Sequence, residues 1–317
     1  VSTGAHTLTL SANGQQYVEG ELILQGARGN PMNIRSSTNG LHAAIKHSTG
    51  ALQQLEHLDV QDSKASSGQV LQCLSCEDRG HNDRWQFYTH TVGGIAYEED
   101  GVTPLTNTGV SYSIQGNPVI DTAITDALGA FTLSGATMSG GDVITLFLDT
   151  NGAAQGVTVL LGSGGSMSNL TVRQQHLLLR SMSGSSPITN THLDTADNCG
   201  DTDITSDILT AAAAAAVEAS GATLLISSDT VFQPGGTVLV NAMDIDGSLY
   251  MEANDVTVRG NWDATGGSFS GANTVTLEQS RITSDGNAFH NVTFASSTAT
   301  GTALDTLDLN GAFTLSG

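Results

Sequence analysis

The sequence predicts an all-β chain. Parallel β-helix (β-solenoid) segments flank a small β-sandwich, and there is one short Ala-rich helix. Three observations lead there. A short apolar-x-apolar unit recurs in the last third at Leu224, Val238, Val256, Val275, Val292 and Leu307, in steps of 14, 18, 19, 17 and 15 residues. A unit of that length holds one or two strands and cannot bury its apolar face alone, whereas stacked copies can. The 37 glycines, together with many β-branched residues, favour strands joined by tight turns. Between residues 91 and 172, short strand-like runs follow one another at roughly ten-residue intervals, the spacing of a sandwich.

Residues 1–90 alternate short apolar runs with turns: Glu21–Leu24, Met32–Ile34, Leu41–Ile45, Leu55–Val60 and Val70–Leu74, closing on Trp85-Gln86-Phe87 as an aromatic plug. Leu58 and Val60 alternate with Asp59 and Gln61, the period of a half-buried strand. The order Gly29-Asn30-Pro31, Ile34-Arg35-Ser36-Ser37, Leu58–Ala65 and Asn82–Phe87 resembles right-handed parallel β-helix segments of large bacterial surface proteins. The spacing Gly80, Asn82, Trp85, Phe87 matches their closing coil.

In residues 91–172, Asp100-Gly101 is a hairpin-turn dipeptide and Pro104 leads into a strand. Gly94, Tyr97, Asp100, Gly101, Pro104, Leu105, Val110, Thr125, Asp126, Gly129, Phe131 and Leu133 follow a pattern similar to the carboxypeptidase regulatory-like (transthyretin-like) β-sandwich. That resemblance implies a spacer or adhesive module and carries over no catalytic residue.

Residues 173–221 read as a linker with the short helix. Gly162–Ser166 is a turn or break, and Leu177-Leu178-Leu179 a buried strand. The helix is expected over Ile208–Ala219, capped by Ser206 and ended by Gly221, because alanine has the highest helix propensity. Residues 222–317 form the second solenoid. Gly260-Asn261-Trp262, Gly266–Phe269, Asn273–Leu277 and Phe289–Phe294 resemble coils of the same surface-protein solenoids. The chain opens without Met and on a strand-like run, and both ends read as cuts through a larger repetitive protein or as processed termini.

The formal net charge is −21. Residues 1–84 carry six Lys and Arg against eight Asp and Glu, a net of −2. Residues 85–317 carry four against 23, a net of −19. So acidic a surface disfavours nucleic acid, which needs clustered Lys and Arg, and suits a solvated extracellular or cell-surface protein. No apolar run reaches the length of a membrane span.

Chemistry-bearing patterns are few. No catalytic residues are expected, and no cofactor beyond Ca2+. Asp194, Asp197, Asp201 and Asp203 are the candidate ligands for that ion, with Asp149–Gly152 and Asp244–Gly247 as further hard-oxygen loops. Asp244, Asp246 and Asp255 otherwise read as turn residues. Cys73-Leu74-Ser75-Cys76 lacks a second metal-ligand pair. Positions i and i+3 of a strand face opposite ways, so a local disulfide is disfavoured, leaving plain packing or a bridge to Cys199 or another chain. His42 and His47 are expected to face solvent. Asn169 and Asn291 head glycosylation sequons.

The heptads Gly129–Gly135 and Gly311–Gly317 are identical, Gly-Ala-Phe-Thr-Leu-Ser-Gly. A shared strand-turn solution explains them. The sharper reading makes Phe131, Leu133, Phe313 and Leu315 assembly positions, through which copies of the chain join head-to-tail or by strand addition. The leading function is thus an extracellular structural protein that self-assembles into a surface filament or layer. The alternative is a carbohydrate-binding adhesin that stacks Trp85, Trp262 or Tyr250 on surface polysaccharide. A polysaccharide lyase ranks third, for want of a grouped Asp/Arg site.

Overall fold

A computed structural model of the chain describes residues 6–27, 30–88, 90–136, 138–150, 155–182, 186–205, 209–211, 215–278, 281–295 and 301–316. It is all-β, with one short helix, Asn190–Asp197, and a four-residue helical turn, Thr202–Thr205, among the described residues. The chain forms two compact units, Val1–His90 with Gly135–Thr137, and Thr91–Ser134 with Met138–Gly317.

In the first unit, successive strands are dealt in rotation to three parallel sheets. Thr7–Leu10, Met32–Ser36, Leu58–Gln61 and Glu77–Asp78 form one; Gln15–Val18, Ala43–His47 and Ser63–Ala65 the second; Leu22–Gln25, Gln53–Glu56, Leu71–Leu74 and Trp85–Tyr88 the third. The registers put apolar residues on apolar residues. Leu8 pairs with Ile34 and Ile34 with Val60. Leu24 pairs with Leu55, Leu55 with Cys73, and Cys73 with Phe87. Each circuit of the chain therefore adds a layer to a core that includes Ile34, Ile45, Leu55, Val60, Leu71 and Cys73. Trp85 and Phe87 stack at 6.0 Å and pack against that core. His47, expected at the surface, is fully buried. Its Nε2 lies 2.8 Å from the Gly20 carbonyl oxygen, and its Nδ1 meets the Gln69 amide. Five-residue strand Ala43–His47 directs Ala43, Ile45 and His47 alike to the interior, so alternation overrides the polarity of the ring.

Cys73 and Cys76 form a disulfide, with Cα atoms 5.8 Å apart. Strand alternation argued against it, but the strand ends at Leu74, and Ser75 takes a left-handed φ of 51°. That residue turns the chain so that Cys76 points back to the side Cys73 faces. Cys199 is free and buried.

The second unit begins with two sheets. His90–Tyr97 lies between Ala130–Ala136 and Met167–Arg173. Asp121–Ile124, Gly109–Ile114, Gly140–Leu148 and Val157–Ser163 pair antiparallel in that order. The buried Tyr112 donates its hydroxyl to the Ser134 carbonyl at 3.0 Å, joining the two sheets. The Asp100-Gly101 turn forms as the sequence predicts. Asp100 Oδ1 accepts the Val102 and Thr103 N–H groups at 2.9 and 2.8 Å, and Gly101 has φ 72°.

From Val157–Ser163 the pairing switches to parallel. His176–Ser181, Ala216–Ile226, Thr237–Ile245, Val256–Val258, Thr274–Leu277, Asn291–Phe294 and Phe313–Leu315 follow in one continuous sheet. The stacked column is Val217, Val238, Val256, Val275, Val292 and Phe313, at steps of 21, 18, 19, 17 and 21 residues. Four of the six sequence-derived units fall in it. Leu224 instead pairs with Met243, and Leu307 packs at the side of the core. Ser248–Glu252 with Ser268–Gly271, and Trp262–Asp263 with Arg281–Thr283, add parallel pairs at steps of about 20 residues. One buried core runs from Val143 to Val292, with Trp262 packed on Phe269 and Phe289 at 5.0 and 5.2 Å.

The Ala-rich stretch is not the helix. Ala216–Ile226 is a strand flanked by His176–Ser181 and Thr237–Ile245, and Thr210–Ala211 pairs antiparallel with it. Val217, Ala219, Ala222, Leu224, Leu225 and Ile226 are buried in it. Two flanking ladders satisfy more backbone groups and apolar surface than an isolated helix would, which outweighs alanine's propensity. Ser206, the expected cap, and Ala212–Ala214 lie outside the described residues. The short helix is Asn190–Asp197, with Asn190, Leu193 and Ala196 buried. The Thr189 N–H caps it by donating to His192 Nδ1 at 3.0 Å.

Candidate functional site

The four candidate calcium ligands lie on and just after this helix. Asp194 and Asp197 are half-buried near its end; Asp201 follows, and Asp203 is buried. Asp203 Oδ2 accepts the Thr150 N–H at 2.8 Å, tying this segment to the end of strand Gly140–Leu148, while Asp201 Oδ1 accepts the Asp203 N–H at 2.9 Å. Such bonds to backbone N–H groups are the work of turn carboxylates. Among the described residues, no three His, Cys, Asp or Glu side chains already stand as a metal-holding group.

The assembly positions divide. Phe131 and Leu133 are buried, at 4% and 0% exposure, whereas Phe313 and Leu315 are 51% and 73% exposed. The Phe313 ring packs tilted against that of Phe294, centroids 5.6 Å apart, and its strand pairs on one side only among the described residues. The same Phe-Thr-Leu strand thus meets two environments, with its Phe and Leu buried at 131 and 133 and exposed at 313 and 315. Of the rings proposed for sugar stacking, Trp262 is fully buried, Trp85 packs partly on the core, and Tyr250 is 55% exposed.

Carboxylates gather on the outer side of the parallel stack. Asp244 and Asp263 are neighbours in register, and Asp246 follows Asp244 at the strand end. Burial, then the charges of Asp246 and Asp263, push the Asp244 carboxyl up to about 6. A cleft of about 390 Å³ nearby is lined by Arg180, Ser181, Ser227, Asp229 and Asp246 among others.

In the first unit, Asp59 is almost fully buried and gripped from two circuits. Arg35 reaches Oδ1 at 2.7 Å and Arg79 reaches Oδ2 at 3.0 Å. Lys64, five residues beyond Asp59 in sequence, pairs with Asp83, at 2.8 Å. Arg79 was the missed partner. Its signal is the 18-residue step that sets Glu77 beside Asp59. With both carboxylate oxygens engaged by guanidinium groups, Asp59 acts as a structural clamp across circuits.

Compared with known proteins, the chain matches no family model, no curated protein and no solved structure.

Proposed function

We propose that this chain is a structural protein of the cell exterior, built of β-solenoid coils around a transthyretin-like spacer, and that copies of it associate into a filament or layer. The observation that carries this reading is the duplicated heptad. Phe131 and Leu133 show that Gly-Ala-Phe-Thr-Leu-Ser-Gly is a strand suited to burial, while Phe313 and Leu315 hold the same strand uncovered. An open strand edge with exposed apolar side chains is a template for strand addition. Two further features support the reading. The hydrogen-bonded sheet runs unbroken from Asp121–Ile124 to Phe313–Leu315, as a stiff rod requires. The Cys73–Cys76 disulfide suits an oxidising compartment.

The test is sedimentation velocity and negative-stain microscopy over a concentration series, with a Phe313→Ser/Leu315→Ser variant alongside. Association that the double substitution abolishes supports the proposal. A wild-type chain that stays monomeric at the highest concentration sinks it. The adhesin alternative now rests on Tyr250, since Trp262 is enclosed.

A further inference from the structure

Three circuits of the first unit bring two imidazoles and a carboxylate to one corner. Ala44 pairs with Lys64, and Lys64 bridges to Asp83. His42, Asp62 and His81 each lie two residues ahead of these, so they stack in consecutive circuits although 20 and 19 residues apart. His81 Nδ1 lies 3.3 Å from Asp62 Oδ1, and the His42 and His81 ring centroids are 5.5 Å apart.

We propose that this corner binds one d-block divalent ion of the zinc class, through His81 Nδ1, Asp62 Oδ1 and the His42 ring. The spacing fits. Metal–nitrogen and metal–oxygen bonds near 2.0–2.1 Å give a tetrahedral edge of about 3.3 Å, and two imidazoles on one ion sit with centroids roughly 5 Å apart. Asp62 is held for the role. Its side chain is 5% exposed, and its Oδ2 accepts the Gly40 N–H at 3.0 Å, the outer bond that orients a ligating carboxylate. The His81 side chain is 64% exposed and open to an arriving ion. The nearby cations face other acceptors: Lys64 binds Asp83, and Arg84 donates to the Ser66 and Gly68 carbonyls at 2.7 and 2.8 Å.

The site is not a preformed cage. The ion enters between His81 Nδ1 and Asp62 Oδ1, and a rotation of the half-buried His42 brings in the third ligand. Two imidazoles select zinc, copper or nickel over calcium. Once bound, the ion staples three circuits together.

The experiment is calorimetric titration of tag-free, chelator-stripped full chain with Zn2+ and, separately, Ca2+. Copper electron paramagnetic resonance then counts the nitrogen ligands. One Zn2+ per chain is expected, with two coordinating nitrogens seen for copper. Affinity should fall roughly tenfold or more in each of His42→Ala, His81→Ala and Asp62→Asn. A His290→Ala control should bind as wild type, and circular dichroism should show each variant folded. Absence of binding at millimolar Zn2+, or binding unchanged in the His42→Ala/His81→Ala double variant, overturns the proposal. Equal competition by Ca2+ overturns the assignment of ion class.

Discussion

Asp244→Asn should stabilise the second unit near neutral pH and leave it unchanged in acid. Asp244 is more than half buried, stands in register with Asp263, and has Asp246 two residues on. Its carboxyl moves from an ordinary 3.8 to about 6. The folded state therefore favours the protonated form. That contribution is fully present below pH 4 and is lost as pH rises through 6, leaving a carboxylate among like charges. At ~1.4 kcal/mol per pH unit the displacement corresponds to ~3 kcal/mol. Asp244 keeps part of its surface in water, so screening reduces this to about 1.5 kcal/mol. For a unit of this size the gain appears as a Tm rise of roughly 3–6 °C. The assay is thermal unfolding from pH 4 to pH 8 at low protein concentration. It is followed by Trp262 fluorescence in a Trp85→Phe background, since Met243, beside Asp244, pairs with Trp262. The gain should grow from near zero at pH 4 to a plateau above pH 7. A variant that melts at or below the parent at pH 7.5, or a gain that does not shrink toward pH 4, refutes the reasoning.

Trp262→Ala removes the largest fully buried side chain, packed on Phe269 and Phe289. It should cost ~3–5 kcal/mol in denaturant titrations that follow the second unit. Cys73 and Cys76 should be linked in the purified chain. Intact mass should read two hydrogens below the reduced value, and Cys73→Ser/Cys76→Ser should cost the first unit about 2 kcal/mol. Free thiol at both positions after non-reducing preparation would contradict the assignment.

Much of the stack is legible in the sequence because its signal is local and repeated. Val238, Val256, Val275 and Val292 recur with turn residues between them, and parallel pairing places them in one column. The Asp100-Gly101 turn is equally readable, since its carboxylate binds N–H groups only two and three residues away. The candidate sites were less legible. His42, Asp62 and His81 carry no spacing motif, and only the circuit lengths bring them together.

What the sequence determined by itself is therefore the all-β class, the spacing that sets Val238, Val256, Val275 and Val292 in register, and the alternation that sends Leu58 and Val60 inward. Tertiary structure decided the rest. The alanine run became a strand because neighbours stood ready on both edges of Ala216–Ile226. Cys76 met Cys73 because one left-handed residue reversed its direction. Phe131 and Leu133 are buried while Phe313 and Leu315, in the same local sequence, are exposed, because burial belongs to what is packed against a strand and the local sequence cannot supply that.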